Sequence, residues 1–324
     1  MNIFRKKVYI NESIELYVQK HIVENKSLTP VTKKTSSRLF RLLKSSFKNS
    51  DTVNKLNFCK IEAIVDQWRK NKIQPATIRQ RLGALRRCIG YWYAMGCIDK
   101  MIPTPKIESV PKREVYTYSI EDYKAIMKSI KREMAISNYQ YGFIYSMRAL
   151  NAEKLYYSIR VLAETAMRPT EFLRLRYADI DFKENRILIR AFSKRKGESR
   201  TVMVSEKLIQ ELRAFRGTTN NSAYVSPYYD RDLDVDEQQQ KFFRNFTSLC
   251  KRNNLVFAGN KMKVRQFRAS TAQWLLNEGV SEQYVSSYLG HSHPETLRLY
   301  TNSQTILDKR TKDIRKLKRI KIFK

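Results

Sequence analysis

Leu289-Gly290-His291-Ser292-His293-Pro294-Glu295-Thr296-Leu297-Arg298-Leu299-Tyr300-Thr301 holds two of the three histidines in the chain, with a tyrosine nine residues after the first of them. Gly290 marks a tight turn that presents the His291 imidazole. The phenol of Tyr300 follows at a fixed interval and is able to act as a nucleophile. The chain has 19 tyrosines, and a tyrosine after a leucine run is ordinarily core, so Tyr300 stands out only through its neighbours.

The 324 residues carry 63 Lys and Arg against 31 Asp and Glu, a formal net charge of +32. Self-repulsion of that size opposes folding, so the excess points to a polyanionic partner, nucleic acid first and an acidic membrane surface second. The sequence has no run of about 18 apolar residues and no signal-peptide core, which favours nucleic acid and excludes a membrane partner. An apolar content of 42% fits a globular chain long enough for two cores. Cys59, Cys88, Cys97 and Cys250 form no C-x-x-C pair and no zinc spacing. They read as buried thiols of a reducing compartment, with no metal and no cofactor.

Outward from the opening stretch, the pattern is mostly helical. Apolar residues recur at helical spacing over Ile10–Ile22, after Pro30, around Ile61–Trp68, and after Pro75, where Ile78, Leu82, Leu85 and Ile89 form one stripe. Arg79 and Arg86, seven residues apart, share a face away from that stripe, with Arg87 near them. They read as a phosphate-tracking surface against the plainer alternative of a solvated face. Prolines 103, 105 and 111 cannot continue a helix and mark a linker. Ser119 with Asp122 looks like a helix start, and helical periodicity then runs to about Leu175. Arg186–Phe192 and Arg200–Val204 read as a β-hairpin around the basic turn Ser193–Ser199. Helical patterns resume at Glu206–Phe215, Gln238–Lys251 and Val264–Asn277, and a basic, partly amphipathic tail ends the chain.

Three further segments carry chemistry. In Thr165-Ala166-Met167-Arg168-Pro169-Thr170-Glu171-Phe172-Leu173, Arg168 stands at a helix start, where an anion is favoured. In Val264-Arg265-Gln266-Phe267-Arg268, two arginines three apart share a helix face. The hairpin turn offers Lys194 and Lys196.

In order and spacing these segments resemble the tyrosine recombinase (phage-type integrase, Xer-like) family. Its pattern is T-G-x-R-x-x-E-L, a lysine on a β-hairpin, H-x-x-R, L-G-H, and a tyrosine nine residues after that histidine. Pro75-Ala76-Thr77-Ile78-Arg79-Gln80-Arg81-Leu82-Gly83-Ala84-Leu85-Arg86 is similar to the family's A-T-I-N-R-R-L-S-A-L-R helix, so the resemblance spans about residues 10–305. One position departs: Arg265 stands where the family has the histidine of H-x-x-R. Arginine stays charged and is a poor general base, so His291 is left as the imidazole to take the Tyr300 proton.

The resemblance implies a mainly α fold with a small β-hairpin or sheet (an α+β catalytic domain), arranged as a two-domain, C-shaped clamp on DNA. Residues 1–105 would be a helical DNA-binding domain, 106–116 a linker, 117–305 the catalytic domain, and 306–324 a basic tail exchanged between subunits. It implies Tyr300 as nucleophile and Arg168 and Arg268 as clamps on the non-bridging oxygens, with His291 and Arg265 as further donors. Lys194, or Lys196 as runner-up, would be general acid. It also implies double-stranded DNA with a specific recombination site, a homotetramer on two such sites, no small-molecule substrate, and a cytoplasmic, nucleoid-associated place. Two other classes compete. A type IB topoisomerase-like enzyme shares the chemistry, and a catalytically silent DNA-binding protein shares the fold.

Overall fold

The computed structural model describes residues 7–108, 116–135, 142–191, 199–256 and 262–290, the side chains of 142–146 excepted. The chain divides into two compact units, Met1–Lys112 and Arg113–Lys324.

The first unit holds helices α1 (Ile10–Val18), α2 (Pro30–Lys44), α3 (Phe58–Lys70) and α4 (Pro75–Ala94). The helical spacing expected over Ile10–Ile22 does not continue as one α-helix. After Val18 the chain widens into a π-helical turn at Gln19–Val23, which keeps Ile22 buried and stacks His21 on Tyr17 at 4.7 Å. Pro30 and Pro75 each open a helix, where the missing N–H costs nothing. The stripe Ile78, Leu82, Leu85 and Ile89 is fully buried against Ile61, Val65, Phe40 and Leu43. Two indoles find partners in this core: Trp92 donates to the Ser13 hydroxyl (2.6 Å) and Trp68 to that of Ser46 (3.0 Å).

The four cysteines do not all lie inside. Cys88 and Cys250 are buried and burial pushes both thiols up to about 12, but Cys59 is exposed and Cys97 half-buried. Cys59 falls on the solvent side of α3 because the same helix commits Ile61, Val65 and Trp68 to the core.

The second unit comprises α5 (Ile120–Ala135), α6 (Gly142–Thr165), α7 (Pro169–Phe172), a 3-10 turn at Tyr177–Asp179, strands β1 (Ile180–Asp181), β2 (Arg186–Ile189) and β3 (Arg200–Met203), and helices α8 (Glu206–Arg216), α9 (Val235–Arg252), α10 (Gln266–Asn277) and α11 (Glu282–Leu289). The fold is therefore mainly α with a small sheet. Its strands lie in the order β1-β2-β3, antiparallel throughout, with Ile187 paired to both Ile180 and Val202. Ile187, Ile189 and Val202 face the core, as strand alternation requires.

The hairpin is shorter than its β-branched pattern. Past Ile189, the Ala191 N–H is taken by the Ser199 hydroxyl (3.0 Å), and the Arg190 guanidinium turns to the Asp179 carboxylate (2.6 Å). The Asp179–Asp181 stretch before the hairpin is a turn and then a strand. Asp179 caps the 3-10 turn through the Arg176 N–H (3.1 Å), and Ile180–Asp181 adds a third strand.

The core of this unit gathers Ile126, Ile130, Leu155, Ile159, Leu162, Phe172, Phe242, Phe246 and Phe267, and Thr165, Leu173, Leu175, Trp274 and Leu289 are also buried. Among the described residues no helix is long and apolar enough to cross a membrane.

Candidate active site

Helix α10 is buried along almost its whole length, Phe267 to Ala272 being inaccessible or nearly so. Tyr118 ties it in place. Its N–H donates to the Ser270 hydroxyl (2.7 Å), its carbonyl accepts from the Trp274 indole (2.8 Å), and its hydroxyl donates to Gln266 Oε1 (2.7 Å). Thr271 adds a bond to the Ala163 carbonyl of α6 (2.7 Å). Arg268 is thus carried on a rigid element and is only 8% exposed. Its guanidinium donates to two backbone carbonyls, Ala166 (2.8 Å) and Leu289 (2.6 Å).

Ala166 ends α6 with φ +51°, a left-handed conformation that costs a non-glycine residue on the order of 1 kcal/mol. Its methyl packs in a small core with Ala272, Leu275, Val285 and Leu289, and its carbonyl serves Arg268, so the surroundings hold it there. Two residues on, Arg168 caps α7, which Pro169 opens. Glu171 accepts from the Arg168 N–H through Oε2 (2.8 Å) and from the Arg168 guanidinium through Oε1 (2.8 Å). The Arg168 side chain remains one-third exposed (33%), the most open of the site's guanidiniums.

A third arginine completes the cluster. Arg200, at the start of β3, reaches Glu171 Oε2 with Nη2 (3.0 Å) and the Tyr288 carbonyl with Nε (2.9 Å), and is only 10% exposed. It also packs against Gly290, where a Cβ would lie 3.0 Å from Arg200 Cδ and the backbone has φ +65°. Glycine is needed there on both grounds. Burial pushes the Glu171 carboxyl upward, but Arg200 first and Arg168 second outweigh it and hold the group below the ordinary glutamate value. Two guanidiniums therefore hold one ionised carboxylate, and a third, Arg268, is fixed on the Ala166 and Leu289 carbonyls beside the turn that leads to His291.

Arg168 and Arg268 are brought together through the Ala166–Glu171 segment. Arg265 is not joined to them among the described residues: it lies exposed at the start of α10, with its guanidinium at Gln239 Oε1 (3.4 Å) and over the Phe243 ring (5.7 Å). Lys194, Lys196, His291, His293 and Tyr300 lie outside the described residues. In the first unit Arg79, Arg86 and Arg87 are all exposed on α4. Arg86 donates to the Thr104 hydroxyl (2.6 Å), and Arg87 stacks over Phe40 (5.0 Å).

Two features escaped the sequence. Arg200 entered there only as the first residue of a strand, although an arginine opening a strand that buries Val202 was a usable signal. Glu164, beside Thr165, is buried with Arg160, the two 2.9 Å apart and not aligned as a hydrogen bond. Its other oxygen accepts from the Ser205 N–H (2.9 Å). The Tyr288 hydroxyl donates to its backbone carbonyl. Among the described residues no group of three His, Cys, Asp or Glu side chains is placed to hold a metal ion.

An anion with two or three free oxygens matches such a cluster, since guanidiniums fixed on carbonyls and a carboxylate need little reorganisation to receive it. Residues 121–305, more than half of the chain, match the model of the phage integrase family. The chain belongs to that family of tyrosine recombinases. The match includes every described residue of the arginine cluster.

Among its relatives, a probable integrase/recombinase of Methanocaldococcus jannaschii is 28% identical over 45% of this chain and 44% of its own length. Tyrosine recombinase XerA of Thermococcus kodakarensis is 28% identical over 44% of this chain and 49% of its own. The chain thus matches about half the length of these integrase-family relatives. In fold it is similar to lambda integrase, solved as a dimer bound to a COC′ core site, with a TM-score of 0.67 at 13% identity over 95% of this chain and 99% of that one. Lambda integrase solved as a tetramer bound to a Holliday junction gives the same TM-score, 0.67, over 92% and 78%.

Proposed function

We propose that this chain is a site-specific DNA recombinase, cutting and rejoining duplex DNA through a 3′-phosphotyrosyl intermediate on Tyr300. The observation that carries the reading is the set of Arg168 and Arg200 on the Glu171 carboxylate with Arg268 fixed on the Ala166 carbonyl just before them, within a family-matched segment that continues to Tyr300. The charge of +32 and the DNA-bound state of the lambda integrase structures support a duplex DNA partner.

In the proposed reaction the Tyr300 oxygen attacks the scissile phosphorus, and the bond from phosphorus to the 5′ oxygen breaks. Arg168 and Arg268 stabilise the charge that builds on the non-bridging oxygens, each well-aimed donor contributing on the order of 10²–10³ in rate. His291 takes the phenol proton, and Lys194 or Lys196 protonates the leaving 5′ oxygen. Arg265 is an additional cation for the phosphate. The 5′ hydroxyl of a partner duplex then attacks the phosphotyrosine, restoring the phenol. One phosphate ester replaces another at each step, so no ATP is consumed.

Exchange between duplexes requires several active sites, and the lambda integrase tetramer on a Holliday junction supports a homotetramer on two DNA sites, with residues 306–324 passed between subunits. Residues 1–105 would follow the phosphate backbone with Arg79, Arg86, Arg87 and their neighbours, joined by 106–116 to a catalytic domain at 117–305. A DNA-acting enzyme of this kind would work at the nucleoid.

The test is a nicked suicide duplex carrying a site selected from random sequence by binding. Wild-type protein is expected to form a covalent DNA adduct, and Tyr300→Phe to bind the duplex within about twofold and form none. Specific binding without an adduct would sink the reading in favour of a silent DNA-binding protein. Relaxation of supercoiled plasmid lacking the site would favour a topoisomerase.

A further inference from the structure

Glu171 poses an electrostatic problem. A buried carboxylate 2.8 Å from Arg168 would by itself cancel most of the charge that Arg168 offers to an anion. Yet the same carboxylate is needed locally, because its Oε2 accepts the Arg168 N–H that starts α7. The structure contains a second cation on that oxygen: Arg200 Nη2, 3.0 Å from Glu171 Oε2. Arg200 in turn is fixed from the other side by the Tyr288 carbonyl and by contact with Gly290, and it is nine-tenths buried. Arg168, by contrast, remains open to solvent at one-third of its surface.

We infer that Arg200 is a positioning residue whose charge neutralises Glu171, so that the guanidinium of Arg168 keeps its positive charge for the scissile phosphate. Arg200 does not itself touch the phosphate in this scheme; it acts through Glu171. The stronger lowering influence of Arg200 than of Arg168 on the Glu171 carboxyl supports this division of labour. The anchoring to Tyr288 explains why arginine stands here and not lysine. One ammonium cannot direct two in-plane donors to a carboxylate and a carbonyl on opposite sides.

The inference rests on the recombinase reading, and its test separates the two. Adduct formation on the nicked suicide duplex is timed for wild type, Arg200→Met, Arg200→Lys and the double variant Glu171→Gln with Arg200→Met, with duplex binding and thermal melting measured in parallel. Arg200→Met is expected to slow adduct formation about 10²-fold while duplex binding changes by less than about threefold, the loss of one well-aimed transition-state interaction. Removing the uncompensated carboxylate in the double variant should return at least about tenfold of that rate, although the double variant lacks the Tyr288 anchor just as the single one does. A purely structural role predicts no such rescue. Arg200→Lys, which keeps the charge, should stay within about tenfold of wild type.

A double variant no faster than Arg200→Met, an Arg200→Met enzyme at wild-type rate, or a folded Arg200→Lys slowed more than about 10²-fold would each overturn the inference. If Arg200→Met does not fold, the Arg200→Lys rate decides the matter alone. Absence of an adduct with wild-type protein would instead sink the recombinase reading itself.

Discussion

Glu164 and Glu171 lie seven residues apart across the junction of α6 and α7, and burial acts on both, yet they titrate in opposite directions. Glu171 has two arginines on its oxygens and stays below the ordinary value. Glu164 is pushed up to about 6, burial being the largest influence and Arg160 only partly offsetting it. Arg160 is itself shared with Glu211 (3.0 Å), and its approach to Glu164 is not aligned. A carboxyl raised in the folded state contributes stability that is fully present below its unfolded value of about 4.5 and lost as pH rises through about 6. Glu171 contributes in the reverse sense, its share being present above the ordinary value and lost as pH falls through its depressed one. For Glu164 the displacement corresponds to roughly 2 kcal/mol. Glu164→Gln keeps an acceptor for the Ser205 N–H and leaves Arg160 its Glu211 partner. Relative to wild type it should therefore gain about 2 kcal/mol of unfolding free energy between pH 4.5 and pH 7. Denaturant titrations across that range would contradict the assignment if the two curves ran parallel.

At the scale of elements, caps and stripes translated directly into structure. Ser119 and Asp122 form a reciprocal box at the start of α5: the Asp122 N–H donates to the Ser119 hydroxyl (3.0 Å) and the Ser119 N–H to the Asp122 carboxylate (2.8 Å). Asp122 also accepts from the Tyr116 hydroxyl (3.1 Å). Asp122→Ala should cost on the order of 1 kcal/mol and lower the melting temperature by a few degrees. An unchanged melt would show that the cap is carried by solvent instead. The α4 stripe was legible because one face of a single helix decides its burial. The end of β2 was not, because a side-chain hydroxyl from Ser199 competes with the ladder and no periodicity reports that. β1 was missed because two residues are too few to show alternation. In the candidate site, Arg168, Arg268 and the partnership of Glu171 were readable from spacing. Arg200 and the Arg160–Glu164 pair were not, because their partners come from distant segments or hide within an apolar helix.

For the whole molecule, the excess charge supports the proposed DNA partner, and the measurable consequence is a salt dependence. Each phosphate that an arginine neutralises releases condensed counterions, so the logarithm of the duplex binding constant falls with the logarithm of salt by about 0.9 per contact. On α4, Arg87 is stacked on Phe40 and Arg86 is oriented by Thr104, so these side chains are held in place on the exposed face. Arg79 sits two helical turns from Arg86 on the same side. If both track the backbone, Arg79→Ala with Arg86→Ala should reduce the salt slope by about 2 and weaken specific and non-specific duplexes alike. The stripe behind them faces the core of the first unit, so this double variant should melt like wild type. Loss of affinity with an unchanged slope would mean that the arginines act through neighbouring structure; an unchanged affinity would return them to the role of a solvated helix face. Arg200→Met offers the internal contrast, since a cation that serves a buried carboxylate should leave the salt slope of binding where it was.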